Sequence, residues 1–271
     1  MGSRGDGMAE GSSAGVQHPV YPVEKSTARI ESLGTSVAPV MSLTEEDMVA
    51  LVPDRTGSRF LKCANCEEGV HESQLVWSVE DPDGVTCKFC GVRYPDEAHP
   101  EDRVEKVRNP LGQDVEYPFW EDAEGYRYYF CMRIWHEARH YLAARGKEMG
   151  ELYQLTGDPQ YARRAGLILD TFARHYPGYL VVYDEVHMPK AFHSEPPFPR
   201  RGAKWGEWRY DEIPTELIYA YDWIYDSGEF ERLSDEVGTD VKARIENDFF
   251  LGGVRQDALH GVLYTNASPA T

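Results

Sequence analysis

Long apolar runs are missing from this chain. No stretch approaches the roughly 20 consecutive apolar residues that cross a bilayer, and the first 30 residues hold no apolar signal-peptide core. Membrane insertion is therefore not expected. Positive charge is also scarce. Lys and Arg total 28 against 46 Asp and Glu, a formal charge of −18, and such a field repels nucleic acid and anionic lipid unless a local basic patch overrides it. Nucleic-acid partners are not expected either. Cysteine is sparse at five residues, but four of them stand in two close pairs. What the chain does have is apolar content. At 41% hydrophobic and 12% aromatic over 271 residues it can bury a real core, in one or two domains. The opening Met1 to Gly15 is rich in Gly and Ser and reads equally as a tag or a misplaced start, so localisation stays open, a periplasmic or secreted address included.

Periodicity divides the remainder. Residues 1–43 mix Gly, Ser, Pro and Val without a helical or strand period and read as a disordered or loosely packed arm. A short helix follows, capped by Ser42 or Thr44 with Glu45 and Glu46 in its first turn, and ends before Pro53. Residues 44–95 group this helix with short β-like runs (Gln74 to Val79, Gly84 to Thr86) around the cysteines, and residues 96–125 form a charged connector. From residue 126 the helical period takes over. Ala138, Tyr141, Leu142, Met149, Leu152 and Tyr153 make one stripe, stopped at Thr156-Gly157. Asp158 then caps a second helix with Pro159 at its first position, and Pro177-Gly178 ends it. So short a link makes an αα-hairpin. A second hairpin is expected from Pro214 to Ser227-Gly228, with Val237, Val241, Ile245 and Phe249 on the returning helix and Gly252-Gly253 as its stop. Between the hairpins runs a long irregular segment, residues 178–211.

Cys63-Ala-Asn-Cys66 and Cys87-Lys-Phe-Cys90 are two CxxC pairs with 20 residues between them. At that spacing two knuckles can present four thiolates tetrahedrally, the pattern of a structural Zn²⁺ site with no open position for catalysis. Disulfides or redox thiols are the alternative. Gly91 suits the turn of the second knuckle, and Glu67 occupies the matching place in the first. Cys131 falls outside the set and reads as a small buried hydrophobe.

His136-Glu-Ala-Arg-His140 matches HExxH, whose helical spacing puts both imidazoles on one face, as in zinc proteases. A third ligand is missing from the sequence: position 160 is Gln160 and no Gly-x-x-His follows His140. Packing or groove-lining is the preferred reading of the pair.

Arg200, Arg201, Lys204, Trp205, Trp208, Arg209 and Tyr210 concentrate positive charge and flat rings in the irregular segment of an acidic protein. Guanidinium forks suit carboxylate or sulfate, and Trp and Tyr faces stack on sugar rings, so these residues are candidate subsites for an acidic polysaccharide. A loop that plugs the core with its Trp residues and pairs its arginines with nearby carboxylates is the competing reading. Tyr183, His187 and His193 lie in the same segment.

Several phrases together resemble the heparinase II/III-type polysaccharide lyases: Trp120 to Gly125, Leu152 to Asp158, Tyr161-Ala162, Ile168-Leu169, Phe172 to Pro177, and Tyr219 to Ile224 with Ser227-Gly228. The resemblance implies a mainly α fold, an α/α toroid of antiparallel hairpins followed by a β-sandwich, here incomplete because only about four of roughly a dozen helices are recognisable; the zinc-ribbon-like module read from the cysteines stands ahead of it. It implies β-elimination of uronic-acid glycans, in which one group neutralises the C6 carboxylate, a base takes the C5 proton and an acid protonates the leaving oxygen. Tyr264 to Pro269 resembles the segment holding the carboxylate-neutralising Asn, which puts Asn266 in that role. A turn residue or a glycosylation sequon is the other reading of Asn266. The family's catalytic Tyr and second His are expected beyond this stretch, so the chain reads as the N-terminal part of a lyase, inactive alone. Two other functions compete: a glycoside hydrolase using carboxylates such as Asp211 and Glu212, and a non-catalytic zinc-ribbon scaffold.

Overall fold

The computed structural model describes residues 27–55, 57, 61–68, 74–109, 111–179, 181–182, 205–206 and 214–255. The described chain is mostly helical with small antiparallel sheets. Its helices are α1 (Thr27–Met41), α2 (Glu45–Ala50), α3 (Phe130–Thr156), α4 (Pro159–His175), α5 (Thr215–Ile224), α6 (Glu229–Val237) and α7 (Val241–Arg244), the last running on as a π-helical segment, Ile245–Val254. One sheet orders β1 (Leu75–Ser78), β2 (Asp81–Cys87) and β3 (Arg93–Tyr94). A second orders β4 (Arg103–Arg108), β5 (Asp114–Glu121) and β6 (Arg127–Tyr128). The pair β7 (Val181–Val182) and β8 (Trp205–Gly206) joins the two ends of the long segment between the hairpins.

Helix α3 is the spine. Its first residues, Phe130 to Met132, sit in two small aromatic cores under the sheets. Its later turns supply Leu142, Met149, Leu152 and Leu155 to the main core, shared with α1, α2, α4, α5 and α6. Gly157, in the left-handed region at φ 73°, closes α3 by donating to the Tyr153 carbonyl. Asp158 then caps α4 by accepting the Gln160 N–H, with Pro159 at the first position. The expected hairpin is present. Helix α5 crosses α3 closely because Gly146 and Gly150 offer no side chain there: a Cβ on Gly150 would stand 3.2 Å from the Ala220 Cα.

Three stretches differ from the sequence reading. Residues 27–41, assigned to a loose arm, form α1, with Leu33, Val37 and Val40 buried in the main core. Arg29 makes a bidentate pair with Glu151 of α3, 2.7 Å on each arm, and Arg164 of α4 donates to the carbonyls of Val40, Met41 and Leu43 at the end of α1. Gly34 and Pro39 inside the helix masked its period. The 96–125 connector contains the β4–β5 hairpin, held by cross-strand pairs Lys106–Glu116 and Arg108–Asp114, each at 3.0 Å. Charged residues pair on its solvated face, while Val115, Tyr117 and Phe119 alternate along β5 onto a small aromatic core. The returning helix of the second hairpin breaks at Gly238, φ 69°, into α6 and α7. Gly252 and Gly253 do not stop it but lie within the π-helical segment. Gly253 is small because the Tyr176 ring packs on it: a Cβ would be 2.6 Å from Tyr176 Cδ1.

Candidate metal centre

Two knuckles build the centre. The second is fixed by β2 and β3: Cys87 donates its N–H to the Val92 carbonyl, Gly91 donates back to the Cys87 carbonyl, and Gly91 takes the positive φ of 77° that the tight turn demands. The first is pinned from the side by Gln74, whose Oε1 accepts the Cys63 N–H at 3.0 Å while its amide nitrogen donates to the Glu68 carbonyl. Glu67, in the place matching Gly91, has no positive φ, so the two turns are not copies.

The geometry converges. Cys63 Sγ lies 3.6 Å from Cys90 Sγ, Cys66 Sγ lies 3.7 Å from Cys87 Sγ, and all four sulfurs fall within 4.8 Å of one another. Cys63 and Cys87 are buried while Cys90 is exposed. Backbone donors already point at sulfur: the N–H groups of Asn65 and Cys66 at Cys63, that of Glu68 at Cys66, and that of Val92 at Cys90. Such donors stabilise thiolate, the form that ligates metal. The proton balance is uneven. The Val92 N–H, helped by the Asn65 side chain and the thiols of Cys63 and Cys87, overcomes burial and brings Cys90 down to about 6. The Glu68 N–H favours the Cys66 thiolate, yet burial and the thiols of Cys87, Cys90 and Cys63 outweigh it and push Cys66 up to about 12. Burial raises Cys63. Four converging sulfurs with N–H donors in place fit a metal ion such as zinc held tetrahedrally, with every position filled by protein.

Tyr94, wholly buried, completes the surroundings: its hydroxyl oxygen lies 3.0 Å from Cys63 Sγ and accepts the Asn65 N–H at 3.1 Å. Burial, then the adjacent Cys63 thiol, raises the phenol above its ordinary value. The Tyr94 ring stacks on Phe130, the first residue of α3, at 4.4 Å and 5°. His99, Trp120 and Tyr128 close a circuit of rings back to Phe130. The centre is thus seated directly on the start of the spine helix.

His136 and His140 do share a face of α3, with ring centroids 4.4 Å apart. Glu137 pairs with Arg133 at 2.6 Å. Among the described residues, the four cysteines are the one group of three or more His, Cys, Asp or Glu able to hold a metal. Arg200, Arg201, Lys204, Trp208, Arg209, Tyr210 and Asn266 lie outside the described residues, as do Tyr183, His187, His193, Asp211 and Glu212; of Trp205 only the backbone is described, in β8. Cys131 is buried and its thiol donates to the Pro118 carbonyl at 3.3 Å. Sequence reasoning missed Gln74, which stands just ahead of β1 and holds the Cys63 backbone N–H, and Tyr94, which reaches the Cys63 sulfur only once β2 and β3 pair.

No protein-family model, no curated protein and no solved structure matches this chain.

Proposed function

We propose that the chain is the zinc-stapled helical region of a heparinase II/III-type polysaccharide lyase. The observation that carries the metal half of this reading is the convergence of four thiols within 4.8 Å on N–H donors from both knuckles. Bound there, the ion supplies no chemistry beyond holding its ligands, because no coordination position is open. Its work is mechanical: Cys63, Cys66, Cys87 and Cys90 fasten the two knuckles into one unit, which then seats Phe130 and the first turn of α3.

Support for the catalytic half comes from the helical hairpin turned by Thr156-Gly157-Asp158-Pro159, as the resemblance implies, and from the packing of α5 onto α3 as the next member of an array. In this reading the array extends as part of an α/α toroid. Arg200, Arg201, Lys204, Trp205, Trp208, Arg209 and Tyr210 line subsites for an acidic polysaccharide, and the Asn266 amide donates to the C6 carboxylate as the enolate forms.

The test is near-ultraviolet absorbance while the full gene product, beside its Asn266→Ala variant, is mixed with a panel of uronic-acid polysaccharides. β-Elimination leaves an unsaturated uronate that absorbs, and the variant should lose most of the signal. New reducing ends without absorbance would replace lyase by hydrolase, and no product from any polysaccharide would remove the catalytic reading.

A further inference from the structure

The Tyr94 hydroxyl sits between two groups and is shut off from water. Its ring and hydroxyl are 0% exposed, the Asn65 N–H donates to its oxygen at 3.1 Å, and Cys63 Sγ lies 3.0 Å away. A phenol has one proton to give. The Asn65 nitrogen has no lone pair to receive it, so the sulfur is the partner left on that side. When the centre holds a metal, Cys63 is a thiolate with no proton of its own, and the direction of the bond is fixed: oxygen donates and sulfur accepts. Lys62 and Lys88, next in sequence to Cys63 and Cys87, are engaged elsewhere, Lys62 with Glu67 and Lys88 over the Phe89 ring.

Resting on the metal reading above, we propose that Tyr94 is a positioning residue of the centre, whose hydroxyl donates to the Cys63 thiolate and thereby tightens metal binding. Four thiolates around a divalent ion leave excess negative charge on sulfur, and a buried O–H dipole aimed at one sulfur offsets part of it where water cannot. The same residue fixes where that sulfur stands. Tyr94 pairs with Val85 across the β2–β3 ladder and stacks flat on Phe130, so its oxygen is held by a strand on one side and a helix start on the other. Cys63, at the end of a loop, gains a rigid neighbour that its own knuckle does not supply.

The experiment compares the full chain with Tyr94→Phe, which keeps the ring, the stack and the strand and removes only the hydroxyl. Zinc affinity is measured by competition with a chromophoric chelator, and cobalt(II) is substituted to read the thiolate-to-metal charge-transfer band. Loss of an outer hydrogen bond of this kind typically weakens metal binding by about 10- to 100-fold. The band should move to lower energy, because a sulfur that loses its donor gives up charge more readily; a purely structural role for Tyr94 would not move it. Equal affinity and an unshifted band in Tyr94→Phe would overturn the proposal. Failure of the unaltered chain to take up zinc or cobalt would instead overturn the metal reading itself.

Discussion

Glu101 accepts the backbone N–H of Cys131 at 3.0 Å, so the first turn of α3 is capped by a carboxylate thirty positions earlier in the chain. Tyr129, the residue in the capping position, makes no side-chain capping bond. Burial pushes Glu101 up to about 7 against the helix N–H groups of Cys131 and Phe130, which pull it the other way. The carboxyl oxygen accepts at the positive end of a helix, but burial disfavours its ionised form, so it keeps its proton up to about 7.

A carboxyl raised in the folded state binds its proton more tightly there than in the unfolded chain. Its contribution to stability is therefore fully present below the unfolded value of 4.5 and is lost as pH rises through about 7. The shift corresponds to at most about 3 kcal/mol. Glu101→Gln keeps an oxygen for the Cys131 N–H and does not titrate. Chemical denaturation from pH 5 to 8 should show the variant gaining on the unaltered protein as pH rises, and parallel profiles would refute the assignment.

Docking of α1 predicts a core penalty where a loose arm predicts none. Leu33 is 3% exposed and packs in the main core, so Leu33→Ala should cost about 2–5 kcal/mol. The urea midpoint of the variant measures it, and an unchanged midpoint would place residues 27–41 outside the folded body.

Two glycines should respond in opposite directions to the same substitution. A Cβ on Gly57 would stand 2.1 Å from the Met132 carbonyl oxygen and 2.2 Å from the His136 nitrogen, both backbone atoms of α3. Gly57→Ala should destabilise by about 3 kcal/mol or more, since neither atom can give way. Gly34, inside α1, has nothing within 4 Å of its Cβ position, and Gly34→Ala should stabilise by up to about 1 kcal/mol through helix propensity. Thermal melts of the pair decide it, and shifts of the same sign would contradict the packing described.

Parts of this architecture were legible in the sequence for identifiable reasons. Asp158-Pro159 marks the start of α4 because capping chemistry is local, and CxxC spacing marks the ligands because a knuckle is local too. What escaped depends on partners far along the chain. Helix α1 is stabilised by Glu151 and Arg164, β5 by the core that Tyr117 and Phe119 share with Tyr129 and Met132 at the start of α3, and the α3 cap by Glu101. Tyr94 meets Cys63 only once β2 and β3 pair. The cluster of Arg200, Arg201, Lys204, Trp208, Arg209 and Tyr210, with Asn266, rests on sequence alone.

The most direct test of the account is metal analysis of the purified full chain, combined with a thermal melt before and after chelation. One zinc per chain is expected, released in step with mercurial titration of four thiols, with a lower melting temperature once the ion is gone. Metal-free protein that melts at the same temperature with and without added zinc, or cysteines found as disulfides, would contradict it.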